Sequence, residues 1–465
     1  MNSPVDRDRQ FLGHPRGLGV IVFTEAWERF SFYGMQALLV LYMSGYLLQP
    51  DNVTQVLGFA GFRAALESVF GALSPQALAT QIFGLYVGMV YFLPVFGGLL
   101  GDRWLGQRRA VILGAVAMAT GHFLMAFEAA FLFALAALIV GSGLLKGNLV
   151  SQVGQLYSAC DARRDRGFSI YCLAINVGAF LAPLVCGTLG ELWGWHYGFT
   201  AAGVGMLIGL WIYLANQQDL PRDAVADRTA PRPRLQPGDG KVIGGLLVVF
   251  FIGTLYWTAQ TQVWNTYPLW IKARVDRDLL GLTIPVTWFQ SLDSLAVLML
   301  APAVIWLWKR QSARRAEPDD LTKIAIGCAV FALGCLELFA AEKLAAGDTV
   351  NALFPALFHF VSAVGYLYVF PVALALFSRA APPAINAMMA GVCYLSLFAG
   401  SVTSGWLGRF YEVLTPAQFW LMHAAIVGSG TLLMLVLRSS LARTLRLSGH
   451  SAGSPTITPA MESRT

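Results

Sequence analysis

The chain alternates long apolar runs with short polar stretches, and the runs share one recurring length. Twelve of them reach the roughly 20 helical residues that cross a ~30 Å hydrocarbon core. The first six cover about 17–46, 77–101, 109–130, 132–157, 168–190 and 195–216. The second six cover about 242–271, 283–308, 322–345, 351–378, 385–408 and 416–440. Between the sixth and seventh runs, residues 217–241 are rich in Pro, Arg and Asp, as in Pro231-Arg232-Pro233-Arg234, and nothing there is apolar enough to span. The pattern predicts an all-α membrane protein: an N-terminal six-helix bundle over 1–216, a cytoplasmic linker over 217–241, and a C-terminal six-helix bundle over 242–440. Residues 441–465, rich in Ser, Thr and Gly, read as a disordered cytoplasmic tail.

Composition strengthens the membrane reading. Of 465 residues 56% are hydrophobic and 12% charged, with a mean hydropathy of +0.60, whereas a soluble protein carries about 25% charged residues. The net charge of +6 is dispersed over short loops, which argues against a nucleic-acid partner. The first sixteen residues are polar and the run after them carries charges, so no cleavable signal peptide is evident. Lys and Arg concentrate in the loops on the side of both termini. In the opposite loops lie only Arg63, Lys272, Arg274, Arg277, Lys343 and Arg409. The positive-inside rule then puts both termini in the cytoplasm, with a bacterial inner membrane as the expected location. The six cysteines show neither zinc-site nor disulfide-framework spacing.

Two charge groups interrupt the apolar runs. The first run contains Thr24-Glu25-Ala26-Trp27-Glu28-Arg29-Phe30-Ser31-Phe32-Tyr33-Gly34. The spacing of Glu25, Glu28 and Arg29 puts all three on one helix face. Each ionised group near the bilayer centre costs roughly 2.5–3.5 kcal/mol, so such a cluster must pair internally and marks a functional site. Lys146, in Gly143-Leu144-Leu145-Lys146-Gly147-Asn148, lies mid-way along the fourth run. A lysine facing the two glutamates would hold them ionised until a proton competes, which is a two-state element.

Further stretches carry a family resemblance. Two six-helix halves joined by a long cytoplasmic loop match the major facilitator superfamily plan, with substrate bound near the midplane between the halves. Gly97-Gly98-Leu99-Leu100-Gly101-Asp102-Arg103-Trp104-Leu105-Gly106-Gln107-Arg108-Arg109 resembles that superfamily's gating loop. Gly98, Asp102, Arg103 and Gly106 are its marker positions, with Asp102 expected to pair across the interface. The Glu25-x-x-Glu28-Arg29-Phe30-x-Phe32-Tyr33-Gly34 signature is similar to the first helix of the proton-dependent oligopeptide transporter family. Phe168-Ser169-Ile170-Tyr171 with Ile175-Asn176-Val177-Gly178 resembles its fifth helix. Gly194-Trp195-His196-Tyr197-Gly198-Phe199 resembles its sixth, and Ile284-Pro285-Val286-Thr287-Trp288-Phe289-Gln290 its eighth. The resemblance implies a proton-coupled symporter of di- and tripeptides or peptide-like compounds, a monomer in the lipid bilayer with no cofactor and no metal. It assigns proton coupling to Glu25, Glu28, Arg29 and Lys146. Tyr33, Gln36, Asn176, Gln260, Asp293 and Tyr366 are the expected lining of the substrate site.

The chain also departs from the family. Gln36 stands where a basic residue is usual, Trp257-Thr258-Ala259-Gln260-Thr261-Gln262 carries no acid, and Tyr366 replaces a Glu. Those family residues hold the two ends of a peptide, so a modified peptide or peptidic siderophore is the alternative substrate, with import or export open. Asp293, where Asn is usual, could supply the missing carboxylate. His359 is more readily a packing residue than a titrating one, Glu337 is expected to be structural, and Trp270 suits an interfacial belt. A transporter-shaped sensor would not need the coupling charges. No metal cluster, phosphate loop or nucleophile–base pair suggests an enzyme.

Overall fold

The computed structural model describes residues 11–158, 161–221, 223, 235–279, 281–314, 316–382 and 384–445. The expected tail from residue 446 onward, and the linker over 224–234, lie outside the described residues. Twelve long helices stand among those described: α1 Arg16–Tyr42, α2 Pro75–Leu100, α3 Gln107–Leu124, α4 Phe131–Gln155, α5 Arg164–Ala182, α6 Trp195–Ala215, α7 Asp239–Gln260, α8 Val286–Ala313, α9 Asp320–Ala345, α10 Leu353–Ala380, α11 Asn386–Leu407 and α12 Pro416–Thr444. Among the described residues, nine of these are long and apolar enough by themselves to cross a membrane; α1, α3 and α11 are not among the nine. In α1 the reason is visible, because Glu25, Glu28 and Arg29 sit inside it.

Local sequence explains where the helices begin. Ser74 and Asp319 accept from the backbone N–H three residues on, opening α2 and α9. Thr415 and Gln418 form a reciprocal capping box ahead of Pro416. Proline inside α2, α8 and α10 (Pro94, Pro302, Pro371) is tolerated because neighbouring helices satisfy the freed backbone. The seventh apolar run is not one rod. It breaks at a 3-10 turn over Thr261–Trp264 and continues as a short helix over Thr266–Arg274. A separate helix, Phe59–Phe70, occupies the connection between α1 and α2, where the hydrophobic pattern predicts only a loop.

The helices group as two six-helix bundles. Within the first, α1 packs on α5 and α6, and α4 on α2 and α3; within the second, α9 packs on α10 and α12, and α7 on α11 and α12. The bundles meet through α2 against α11 and α5 against α8. These contacts gather toward one end of the molecule. There Arg409 donates to the Phe70 carbonyl at 2.7 Å, Thr80 to the Gly405 carbonyl at 3.3 Å, and Asn265 to the Thr80 carbonyl at 3.2 Å. On the other seam, Glu191, just beyond α5, accepts from the Val286 and Thr287 N–H groups at 2.8 Å each. It therefore caps the N-terminus of a helix in the opposite bundle, where the helix dipole favours a carboxylate. Trp288 and Ser291 add bonds to Thr188 and to the Phe180 carbonyl.

Gly84 permits the α2–α11 contact: a Cβ there would collide with the Ser401 carbonyl oxygen and sit 2.8 Å from Gly405 Cα. Overpacking a tight site costs about 1–3 kcal/mol. Gly84→Val should lower the thermal unfolding midpoint of the purified protein, and an unchanged midpoint would show that the seam is loose.

Candidate functional site

Between the bundles lies a cavity of about 430 Å³. Its walls include Glu25, Arg29 and Tyr33 of α1, Lys146 of α4, Asn176 of α5, Gln260 of α7, Asp293 of α8 and Tyr366 of α10, together with Gln36. Nine of the ten residues picked out for coupling and binding thus share one space. Glu28 is the exception; it is fully buried beneath it.

Arg29 organises the charged wall. Its Nε lies 2.8 Å from Glu25 Oε1 and 2.5 Å from Glu28 Oε2. All three side chains are almost fully buried, and Glu28 approaches the guanidinium closely without a well-directed hydrogen bond. One cation therefore serves two carboxylates, which leaves room for a proton. Lys146 shares the cavity with Glu25, but among the described ion pairs it is joined to neither glutamate. Its ammonium lies 3.9 Å from the centre of the Phe32 ring and 5.0 Å from that of Tyr91, and Nζ has no hydrogen-bond partner. Arg29 reaches both carboxylates from the same helix, so Lys146 settles on aromatic faces instead, a contact worth about 2 kcal/mol where water is excluded.

The binding wall is aromatic and amide-rich. Tyr33 packs on Trp264 at 5.2 Å between ring centres, and Tyr366 lies beside Trp257 and stacks on Phe370. Gln36 is buried with its Oε1 unpartnered, which leaves an acceptor for a ligand. Asn176 donates to the Cys172 carbonyl one turn back. Tyr91, Trp264 and Tyr394 also line the cavity. Sequence reasoning passed over Tyr91 and Tyr394, because an aromatic in an apolar helix carries no mark of which way it points.

Several expectations change. Asp102 does not reach across the bundles: it accepts from Gln107 Nε2 at 2.9 Å, within its own half. The cause is the turn that follows. Gly106 adopts φ +79°, a left-handed conformation natural to glycine, and folds the loop back onto α3. Gly98 faces open space, and the close helix approach falls at Gly97, whose Cβ would meet the Gly143 carbonyl. Arg103 is exposed. Trp270 is not an interfacial anchor; it is buried and donates to Glu342 at 2.6 Å. Glu337 has both carboxylate oxygens buried without a hydrogen bond.

Two bundles around a central cavity lined by buried charges define a major facilitator-type secondary transporter. A profile of the PTR2 or POT family matches residues 108–222 and 233–421. The chain belongs to the POT family. It is 28% identical over 505 residues to the peptide transporter YePEPT of Yersinia enterocolitica, covering 92% of this chain and 95% of that one. It is 30% identical over 488 residues to the uncharacterized transporter YclF of Bacillus subtilis, covering 91% and 94%. A solved peptide transporter POT in complex with sulfate matches with a TM-score of 0.83 at 27% identity, over 94% of this chain and 97% of that one. A mutant POT in complex with alafosfalin matches with the same score at 29% identity and the same coverage.

Removing one partner of a buried ion pair costs about 3–5 kcal/mol, because the other charge stays buried alone. Arg29→Gln should lower the melting midpoint of the purified protein accordingly. Adding Glu25→Gln and Glu28→Gln should restore most of it, and a triple variant as unstable as the single would refute the charge account.

Proposed function

We propose that this protein is a proton-coupled symporter of di- and tripeptides or peptide-like compounds that works by alternating access. The observation that carries the reading is the buried Arg29–Glu25–Glu28 group opening onto the cavity between the bundles. A proton arriving from the cavity neutralises one carboxylate, and Arg29 then pairs with the other alone. The freed interaction shifts the balance between the two access states. Lys146, resting on aromatic faces with no hydrogen-bond partner, is available to take a released carboxylate or the carboxylate of a substrate. Each charge crossing 100 mV contributes about 2.3 kcal/mol, so one or two protons drive substantial accumulation.

Tyr33, Gln36, Asn176, Gln260 and Tyr366 line the substrate pocket in this reading, and Asp293 binds the substrate's ammonium. Asp293 is partly exposed on the cavity wall, and Tyr366 and Gln36 leave no other carboxylate on that side. The loop residues Gly98, Asp102, Arg103 and Gly106 shape the turn at the opposite end from the closed seams. The loop charges support cytoplasmic termini, an inner-membrane location and the domain limits 1–216, 217–241 and 242–440. The protein acts as a monomer. A second substrate class, peptides with one end blocked or modified, is favoured by the absence of a basic residue at Gln36.

Uptake of free and terminally blocked di- and tripeptides into proteoliposomes under an inward proton gradient tests the reading. Accumulation of any of them that Glu25→Gln abolishes is the expected result; indifference to the gradient would sink it. Asp293→Asn should weaken peptides with a free amino end about ten- to a hundred-fold, as expected for a charge-assisted bond of about 1.5–3 kcal/mol. Blocked peptides should be unaffected. Equal loss for both would remove Asp293 from ammonium recognition.

A further inference from the structure

His359 of α10 is completely buried, and neither of its ring nitrogens has a hydrogen-bond partner. That is unusual for an imidazole, which normally donates from one nitrogen and accepts at the other. An idle packing histidine would be bonded, as His423 is to Gln262 and the Phe419 carbonyl. One charged group lies within reach: Asp293 Oδ1 of α8, 3.7 Å from His359 Nδ1. Asp293 in turn lines the cavity. The imidazole thus sits one side chain behind the cavity wall, and among the described residues its ion-pair partner at that distance is a carboxylate.

Among the described residues the other surroundings offer no competing ion pair at that range. Tyr267, from the short helix after α7, meets the imidazole edge-on at 5.2 Å and spends its hydroxyl on the Pro355 carbonyl. Phe358 covers another side. Glu337 of α9 also faces this side, with both carboxylate oxygens buried and unbonded, but among the described ion pairs His359 is matched with Asp293 and not with Glu337. His423 of α12 is satisfied elsewhere. Tyr256 of α7, Tyr366 on α10 itself, and Cys328 and Cys335 of α9 are the other titratable groups on this side; they are phenols and thiols.

From this geometry we infer that Asp293 and His359 form a second proton-binding site, in the C-terminal bundle, separate from the Glu25–Glu28–Arg29 group. A proton passes from cavity water by way of the Asp293 carboxylate to His359 Nδ1, and the resulting imidazolium is neutralised by the same carboxylate. A small closing movement turns the 3.7 Å approach into a charge-assisted hydrogen bond. The site follows from these side chains and not from what the cavity carries. Where the substrate does bring an ammonium to Asp293, as proposed above, that ammonium and the proton compete for one carboxylate. Proton loading of the C-terminal bundle is then tied to occupancy of the pocket.

The test needs no substrate. Purified full-length protein in weak buffer is taken from about pH 8 to about pH 5, the window in which an imidazole changes charge. Bound protons are counted with an indicator dye. His359→Gln should bind about one proton fewer than the parent, and Asp293→Asn should also bind fewer. Equal counts for His359→Gln and the parent would overturn the inference. Should His359→Gln fail to fold, deuterium exchange at the imidazole C2 carbon, read by mass spectrometry on the unaltered protein, decides instead. A sigmoidal pH profile at His359 is expected, and a flat one rejects the site. Proton-driven uptake of dialanine is measured alongside: its absence would count against the peptide reading and leave the proton counts standing.

Discussion

The central constraint is that one guanidinium must satisfy two carboxylates inside an apolar helix. Arg29 cannot lose its proton, and neither glutamate reaches water easily. Burial of the three groups is tolerable only while they hold one another and while the surrounding helices keep lipid away. That requirement places α1 at the centre of its bundle, against both α5 and α6, and sets its charged face toward the cavity. Much of the rest follows. The aromatic faces of Phe32 and Tyr91 accept the Lys146 ammonium that the pair leaves over. In the proposed mechanism the net charge of the group depends on a proton from the cavity.

The second bundle solves a similar problem with different residues. Among the described residues, no arginine of that bundle lines the cavity. The bundle's acid–base groups include a carboxylate at the wall and an imidazole behind it. The N-terminal group is strongly paired, while the C-terminal one is sparse and under-bonded. Were both to bind protons as proposed, two elements on opposite sides of a cavity would give the transporter two handles on one equilibrium, because each binding event shifts populations only through its differential affinity for the two states.

Most of the architecture was legible in the hydrophobic pattern. A bilayer imposes a fixed span length, so apolar runs alone locate the helices, and the charges within them stand out as exceptions. The predicted runs agree with α4, α6 and α10 to within a few residues. The cavity wall was legible wherever a polar residue broke an apolar run, as at Glu25, Lys146 and Asp293. Three things were not. The break at Thr261–Trp264 holds no Pro or Gly itself, and Pro268, in the first turn of the short helix beyond it, sits inside a run apolar enough to read as one rod. The partner of Asp102 depended on a backbone turn at Gly106. The approach of His359 to Asp293, sixty-odd positions apart in sequence, depends on how α8 crosses α10, which no local pattern encodes.

Glu191 carries a consequence beyond the seam it closes. Its carboxylate supplies the missing acceptors for the first amides of α8, so those amides are satisfied only while the two bundles touch there. When that end parts, water must take over the exposed helix terminus. The strength of this one carboxylate therefore helps set how often the molecule visits its other form. An observed affinity is the intrinsic one scaled by the share of molecules able to bind. A residue that contacts no ligand can then change how tightly the pocket holds one, and apparent specificity differences among relatives need not originate in the pocket.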